Sequence, residues 1–448
     1  MAVLHARAEA SGGVLGAADL VAAAAHSVTL QRALERRLVF PAFEDFTTEL
    51  RAVFDDVRGD TSGAVASYIP QLARVDAEQF GIAACTVDGQ QFTHGDARTQ
   101  FCIQSCSKVL TYALALEQHG EDKVHRHVGR EPSGRGFNER VLNADGLPHN
   151  PYINSGAIMS ASLVQPASAI GDRFDHVFDA WVRATGGRAG DLGFANSTYL
   201  SELASADRNF CLAYMMREEG VFPDGTDLAT TVQLYFMLCS ITATCEAISV
   251  FAATLANGGV CPTTGARVLS ESTVRNCLSL MATCGMYDQS GEFMVEIGCP
   301  AKSGVGGGII TAVPGVGGIC SWSPRLDKVG NSARGVAFFE QLCSVYSFHI
   351  YDASQRSLKL QATARAGADQ DDRTERLLRA AAGDDVAEVR RLVSAENVDV
   401  NVADYDARTA LHVAAANDAT RTVRLLLELG ADAQRVDRWG AKPAVPSS

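Results

Sequence analysis

Ser105-Cys106-Ser107-Lys108 places a hydroxyl three residues ahead of an amine. On a helix, positions i and i+3 share a face, so the serine would stand beside the lysine. A buried lysine gives up its proton more readily than a solvated one, and the neutral amine can serve the hydroxyl as general base. Free amides at a helix start would then receive a developing oxyanion. The chain has six lysines (Lys108, Lys123, Lys302, Lys328, Lys359 and Lys442), and only Lys108 follows a serine at this spacing. The plain alternative is a capping serine beside a solvated lysine.

Lys302-Ser303-Gly304 is the second candidate. It resembles the Lys-Thr-Gly element that faces the Ser-x-x-Lys helix in penicillin-recognising enzymes. Together the two motifs point to serine acyl transfer, although the run 304–308 also reads as a plain glycine-rich turn. A phosphate loop does not fit, because the lysine precedes the glycines.

The elements that must position these groups follow from the hydrophobic pattern. Residues 82–87 and 91–94 flank Asp88-Gly89 and predict a hairpin. A helix is predicted over 105–118, with Gly120 ending it. Three apolar runs, 295–301, 309–313 and 318–322, predict an antiparallel meander followed by a helix over 333–346. Hairpin and meander together make one five-stranded antiparallel sheet. The helical stretches between them form a second lobe, giving an α+β layout with a cleft between lobes.

At 448 residues the chain has room for about three domains. The expected division is a poorly structured N-terminus (1–26), a helical module (27–62), a catalytic domain (63–351), a linker (352–374) and repeats (375–448). In the module, Leu30, Leu34 and Leu38, then Phe43, Phe46, Leu50, Val53 and Phe54, fall near helical spacing on either side of Pro41. In the repeats, Leu377, Ala380, Ala381, Val389 and Leu392 match Leu411, Ala414, Ala415, Val423 and Leu426 at an offset of 34. Thr409-Ala410-Leu411-His412 resembles the ankyrin signature. A last unit begins at Asp437 and is incomplete.

Composition narrows the classes. Lys plus Arg is 39 against 52 Asp plus Glu, a net charge of -13. That disfavours nucleic acid or an anionic membrane as partner, since both need a basic face. Apolar stretches are interrupted by Gly and Pro, so no membrane insertion is expected. The 12 cysteines, all between Cys85 and Cys343, include no CxxC pair and read as reduced thiols. His125 and His127 are two apart and would not face one way on a helix, so no metal is assigned. The first 35 residues lack an apolar core after a basic start, so no secretory signal is read there, while a transit-peptide remnant stays open.

Six stretches carry a family resemblance. They are Tyr68-Ile69-Pro70-Gln71-Leu72-Ala73, Gln104-Ser105-Cys106, Asn150-Pro151-Tyr152-Ile153-Asn154-Ser155-Gly156-Ala157, Asp207-Arg208-Asn209, Cys284-Gly285-Met286-Tyr287-Asp288 and Ala301-Lys302-Ser303-Gly304-Val305. In order and separation they resemble the serine-dependent glutaminases. The likeness runs over residues 40–445, and the ankyrin segment resembles the animal kidney/liver type. It implies a β-lactamase/transpeptidase-like domain that hydrolyses L-glutamine to L-glutamate and ammonia, with no cofactor. Carried over by position, Ser105 is the nucleophile, Lys108 its base, and Tyr287 the relay to the leaving ammonia. The amides of Ser105 and Val305 form the oxyanion hole. Tyr68, Gln104, Asn154, Glu202, Asn209 and Tyr235 line the substrate pocket.

The resemblance further implies a homo-oligomer (dimer or tetramer), a protein partner for the repeats, and a mitochondrial location, with cytoplasm as the alternative. Two departures stand out. Ser107 is a second hydroxyl beside the nucleophile. The loop 134–143, like the family's activation loop, has Arg140-Val141 where relatives have a more apolar pair. Other readings remain. A β-lactamase or transpeptidase would need a peptidoglycan-facing location. An inactive ankyrin scaffold would have no need of the Ser-Lys pair. Residue by residue, Glu202 also reads as a solvated helix position, Asn209 as a cap, and Tyr235 and Tyr287 as core aromatics.

Overall fold

A computed structural model describes residues 23–24, 27–34, 38–351, 368–395, 398–404 and 406–444. They divide into two compact units, one carrying the described residues of 1–33 and 42–362, the other those of 34–41 and 363–448. Six helices of the first unit bear on the site: α1 (Phe43–Val57), α2 (Ser107–His119), α3 (Asn154–Leu163), α4 (Leu228–Cys239), α5 (Cys245–Ala256) and α6 (Ala333–Val345).

The sheet has the five strands expected: β1 (Gly81–Thr86), β2 (Gln91–Gly95), β3 (Ala301–Ser303), β4 (Gly308–Val313) and β5 (Gly317–Trp322). Their order is β2-β1-β5-β4-β3, antiparallel throughout, with Ala84 opposite Ile319 and Lys302 opposite Ile310. Asp88-Gly89 makes the first turn, with Gly89 at φ +83°. β1, β4 and β5 are buried at every position, so both faces must be covered. Alternation sends Gly318 and Cys320 to one face and Ile319 and Ser321 to the other. α5 covers the first face so closely that a Cβ on Gly318 would meet Ala253 N at 2.1 Å. α6 covers the second, where a Cβ on Gly335 would meet Ser321 Oγ at 2.6 Å. α1 lies outside α6, burying Phe46, Leu50, Val53, Phe54 and Val57 at helical spacing. Phe46 meets Tyr346 edge-on at 5.4 Å, and Phe54 stacks on Phe80 at 4.3 Å.

Three expectations are corrected. The run 295–301 is not a strand. Residues Ser290–Glu296 are helical, Val295 is 78% exposed, and the strand is only Ala301–Ser303. Ser290, Phe293 and Ile297 are the buried positions there, a helical period that the apolar composition of the run obscures. The helix predicted from residue 105 begins at Ser107, after a 3-10 turn at Gln104–Cys106. The proposed linker 352–374 contains the start of a helix, Ala368–Ala382. Residues 352–367, and the N-terminal stretch 1–26 apart from 23–24, lie outside the described residues.

Two small sheets were not foreseen, one of them pairing Ala64–Val65 with Arg325–Leu326. Phe101–Cys102, Ile241–Ala243 and Leu192–Phe194 form the other, with 241–243 in the middle. Strands this short carry no readable period, yet this three-stranded sheet anchors the chain just before Ser105.

In the second unit, helices Ala368–Ala382, Val386–Arg390, Ala410–Ala416 and Thr420–Glu428 repeat the pattern at the predicted offset. Leu377, Ala381, Val389, Leu392, Leu411, Ala414 and Leu426 form its buried core. Thr409 and His412 make a capping box, Thr409 N donating to His412 Nδ1 at 3.2 Å. This explains why threonine and histidine recur at those places in the motif.

Candidate active site

Ser105 occupies the 3-10 turn that leads into α2. Its neighbour Gln104 holds φ +48°, a left-handed conformation that costs a non-glycine residue free energy. The turn is held from behind: Ile103 N donates to Ile241 O at 2.9 Å, and Cys106 N to Ile103 O at 3.0 Å. The glycine run closes over it from the front. A Cβ on Gly304 would meet Ile103 O at 2.6 Å, and one on Gly306 would meet Cys102 O at 2.1 Å. Only bare backbone can come this near, so the glycines bring Val305 to the same cavity as Ser105.

α2 is buried from Ser107 to Leu116, and Lys108 is 2% exposed. Lys108 Nζ donates to Asn154 Oδ1 at 2.7 Å and to Tyr152 O at 3.1 Å. A neutral amine has two N–H bonds, and these acceptors take both. The lone pair of the neutral amine is left free. Burial, and next the charge of Lys302, bring the Lys108 pKa down to about 7. Ser107 directly precedes Lys108 on α2, so its side chain does not share the face of the amine.

Tyr287 opens another 3-10 turn, Tyr287–Gln289, and also holds a left-handed φ of +52°. Its ring lies 4.8 Å from that of Phe137 and 4.7 Å from Lys302 Nζ. The phenol is buried, which pushes its pKa above the ordinary tyrosine range. The Ser105 hydroxyl and the Val305 amide act on it in the opposite direction, although Tyr287 Oη has no partner at hydrogen-bond geometry. These groups are therefore adjacent to a phenol still free to donate.

Tyr68, Gln104, Ser105, Asn154, Glu202, Asn209, Tyr235 and Val305 line one cavity of about 360 Å³, with Phe137, Asn138, Arg208 and Cys239. Lys108 and Tyr287 are not among its lining residues. Glu202 is buried and carries the cavity's only carboxylate. Tyr68 Oη donates to Glu202 Oε1 at 2.7 Å, and Gln104 Nε2 to the same oxygen at 3.2 Å. Burial raises the Glu202 pKa, and these two bonds oppose the rise. Tyr68 leaves 53% of its surface exposed, so its ring flanks the opening while its hydroxyl reaches inward. Asn154 Nδ2 donates to Asn209 Oδ1 at 3.2 Å. The Tyr235 ring centroid lies 6.0 Å from Lys108 Nζ. The cavity thus offers a carboxylate, two side-chain amides and the Ser105 hydroxyl, while the Lys108 amine and the Tyr287 phenol are buried outside its lining.

Two further residues take part that were assigned no role from sequence, although Arg208 lies in the stretch Asp207-Arg208-Asn209. Phe137 accepts from Asn154 N at 2.9 Å through its carbonyl while its ring supports Tyr287. The only signal was a lone aromatic in a polar loop. Arg208 donates to Asn138 O at 3.4 Å, joining that loop to the helix that carries Asn209.

The sequence profile of the Glutaminase family matches residues 63–351, and a profile of ankyrin repeats matches 350–437. A rat protein, "Glutaminase liver isoform, mitochondrial", is 44% identical over 418 residues, 93% of this chain and 69% of the relative. A glutaminase of Microcystis aeruginosa is 39% identical over 327 residues, 72% of this chain and 94% of the relative. A solved structure described as the probable glutaminase ybaS superposes with a TM-score of 0.62 at 33% identity, covering 66% of this chain and 97% of that one. The fold is accordingly β-lactamase-like, with ankyrin repeats after it. Because the profile takes in both the sheet and every group gathered around Ser105, and the rat relative continues through the repeats, the chain belongs to the glutaminase family and hydrolyses L-glutamine to L-glutamate and ammonia.

Proposed function

We propose that the hydrolysis proceeds through a seryl acyl-enzyme on Ser105. The observation that carries this reading is the state of Lys108: buried, without a carboxylate partner among the described residues, both amine hydrogens engaged. Such an amine takes the Ser105 proton as Oγ attacks the side-chain carbonyl of glutamine. The negative charge moves to the carbonyl oxygen and is met by the amides of Ser105 and Val305. Tyr287 passes a proton to the departing nitrogen, which leaves as ammonia, and recovers one from protonated Lys108, so the amine is neutral again. Water then cleaves the ester, with Lys108 again as base, and frees glutamate. Glu202 binds the α-ammonium. Asn154, Asn209, Tyr68, Gln104 and Tyr235 hold the α-carboxylate or orient Glu202.

The test is mass spectrometry of the intact protein quenched during turnover. A glutamyl ester on Ser105 is expected, and steady turnover with no adduct at any quench time or pH, including in variants slowed in deacylation, would turn the reading toward direct attack by water. The relative named mitochondrial supports the same compartment here, checked by fractionating cells of the source. A dimer or tetramer is also proposed, to be read by light scattering. The repeats, a class of surface used for protein contacts, supply the place for a protein partner.

A further inference from the structure

We propose that Lys302 is a positioning residue that clamps Tyr287 and the Val305 amide into one frame around Ser105. The proposal deepens the acyl-enzyme reading and rests on it. Lys302 stands on β3 with no exposed surface. Its Nζ donates to Gly285 O at 3.0 Å and to Ser303 O at 2.6 Å, and lies 4.7 Å from the Tyr287 ring centroid. Gly285 is two residues before Tyr287, and Ser303 two before Val305. One ammonium therefore ties together the two backbone segments that carry the proton donor and the oxyanion amide.

The surroundings make this more than incidental packing. Gly285 O also accepts from Ser303 N at 3.1 Å, and a Cβ on Gly285 would meet Ala301 O at 1.7 Å, so the two segments run in direct contact. Tyr287 at φ +52° is strained for an aromatic residue, and such a conformation lasts only where its neighbours dictate it. A cation against the ring face supplies one such constraint and attracts the electron-rich face. Buried charges normally have an acidic partner. The titratable groups facing Lys302 are Cys106, Cys239, Cys284, Tyr287 and Lys108, none of them a carboxylate. Burial brings the Lys302 pKa down to about 8, so the amine is charged at neutral pH and below, held by the Gly285 and Ser303 carbonyls. That charge helps to depress the pKa of Lys108.

The experiment compares Lys302→Met, Lys302→Arg, Tyr287→Phe and the Lys302→Met/Tyr287→Phe double variant by ammonia release across pH. Lys302→Met should lose kcat by about a hundredfold or more, the scale of a misplaced oxyanion donor, with KM changed only a few-fold. The rising limb of its kcat/KM profile should move to higher pH, because Lys108 no longer feels the neighbouring charge. Lys302→Arg should recover the limb and part of kcat. In the Tyr287→Phe background the Met substitution should cost much less than in wild type. Fully additive losses, an unmoved limb, or a defect confined to KM would overturn the clamp. Thermal unfolding of each variant separates these effects from loss of fold, and Lys302→Arg keeps the question decidable should the Met variant not fold. The acyl adduct in wild type is scored separately: its absence would count against the acyl-enzyme, while the profile shift and the double variant still judge Lys302.

Discussion

Lys108 and Asn154 share a 2.7 Å hydrogen bond in which the amine donates to the amide oxygen. The same amide donates onward to Asn209 at 3.2 Å. Asn154 therefore joins Lys108 to Asn209, and in the proposed mechanism it would fix the base on one side and face the amino-acid end of the substrate on the other. A neutral acceptor matters here. It orients the amine without favouring its charged form as a carboxylate would.

Asn154→Asp tests that point. A carboxylate at hydrogen-bond distance stabilises the ammonium, so the rising limb of kcat/KM should move up by about 1 pH unit or more. An unmoved limb in a variant that still binds glutamate would show that Asn154 does not set the charge state of Lys108.

Ser105→Ala should lower kcat by about a thousandfold or more while the protein stays folded. Ser107→Ala should retain most activity, since Ser107 directly precedes Lys108 on α2 and adjacent helix positions do not face each other. Ammonia release from the two variants, with thermal unfolding as control, decides which hydroxyl reacts.

Wild-type kcat/KM should rise through neutral pH and level off on the alkaline side. The sign follows from the base being the neutral amine: below its pKa of about 7 it is protonated and idle. Lys108→Arg should be inactive at every pH, because a guanidinium does not deprotonate in proteins. Measurable turnover by that variant with a similar profile would remove Lys108 from the role of base.

Much of this arrangement was legible beforehand, for reasons specific to each part. The Asp88-Gly89 hairpin and strands β4 and β5 announce themselves because Gly punctuates short apolar runs. Ser105 and Lys108 stand out because lysine is scarce in this chain. Glu202, Asn209 and Tyr235 have no local signature. They entered through the family resemblance, and the fold alone brings them to one cavity. The left-handed backbone at Gln104 and Tyr287 could not be read, since no glycine marks it. Nor could Phe137, whose contacts with Asn154 and Tyr287 are long-range. The glycines after Lys302 were visible but ambiguous. Their purpose lies in atoms of residues 102 and 103, about two hundred positions away in sequence.

Gly306→Ala should accordingly behave as a site variant although it removes no polar group. Its Cβ would meet Cys102 O at 2.1 Å, so the loop must withdraw and carry Val305 with it. A fall in kcat of about tenfold to a thousandfold with a smaller change in KM is expected, the range for a lost oxyanion donor. Wild-type kcat would show that the loop tolerates the shift without moving that amide.

Specificity provides the last test. The reacting amide of glutamine is like that of any primary amide, so selection must come from the charged amino-acid end. A buried group built to meet a charge discriminates strongly, because an analogue lacking that charge leaves it unpaired. Glu202 is the cavity's only acid, and both of its bonds, from Tyr68 and Gln104, go to Oε1. Oε2 has neither bond and is the oxygen that would meet the α-ammonium in the proposed binding mode. Burial raises the Glu202 pKa, so its charge is lost as pH falls, and KM for glutamine should rise on the acidic side. Glu202→Gln should cost glutamine about 2–4 kcal/mol of transition-state binding, the scale of a buried charged hydrogen bond. The desamino analogue, already poor with wild type, should lose little more. The measurement is kcat/KM for both substrates in both proteins. Equal losses would mean that Glu202 supports the pocket through Tyr68 and Gln104 and does not read the ammonium.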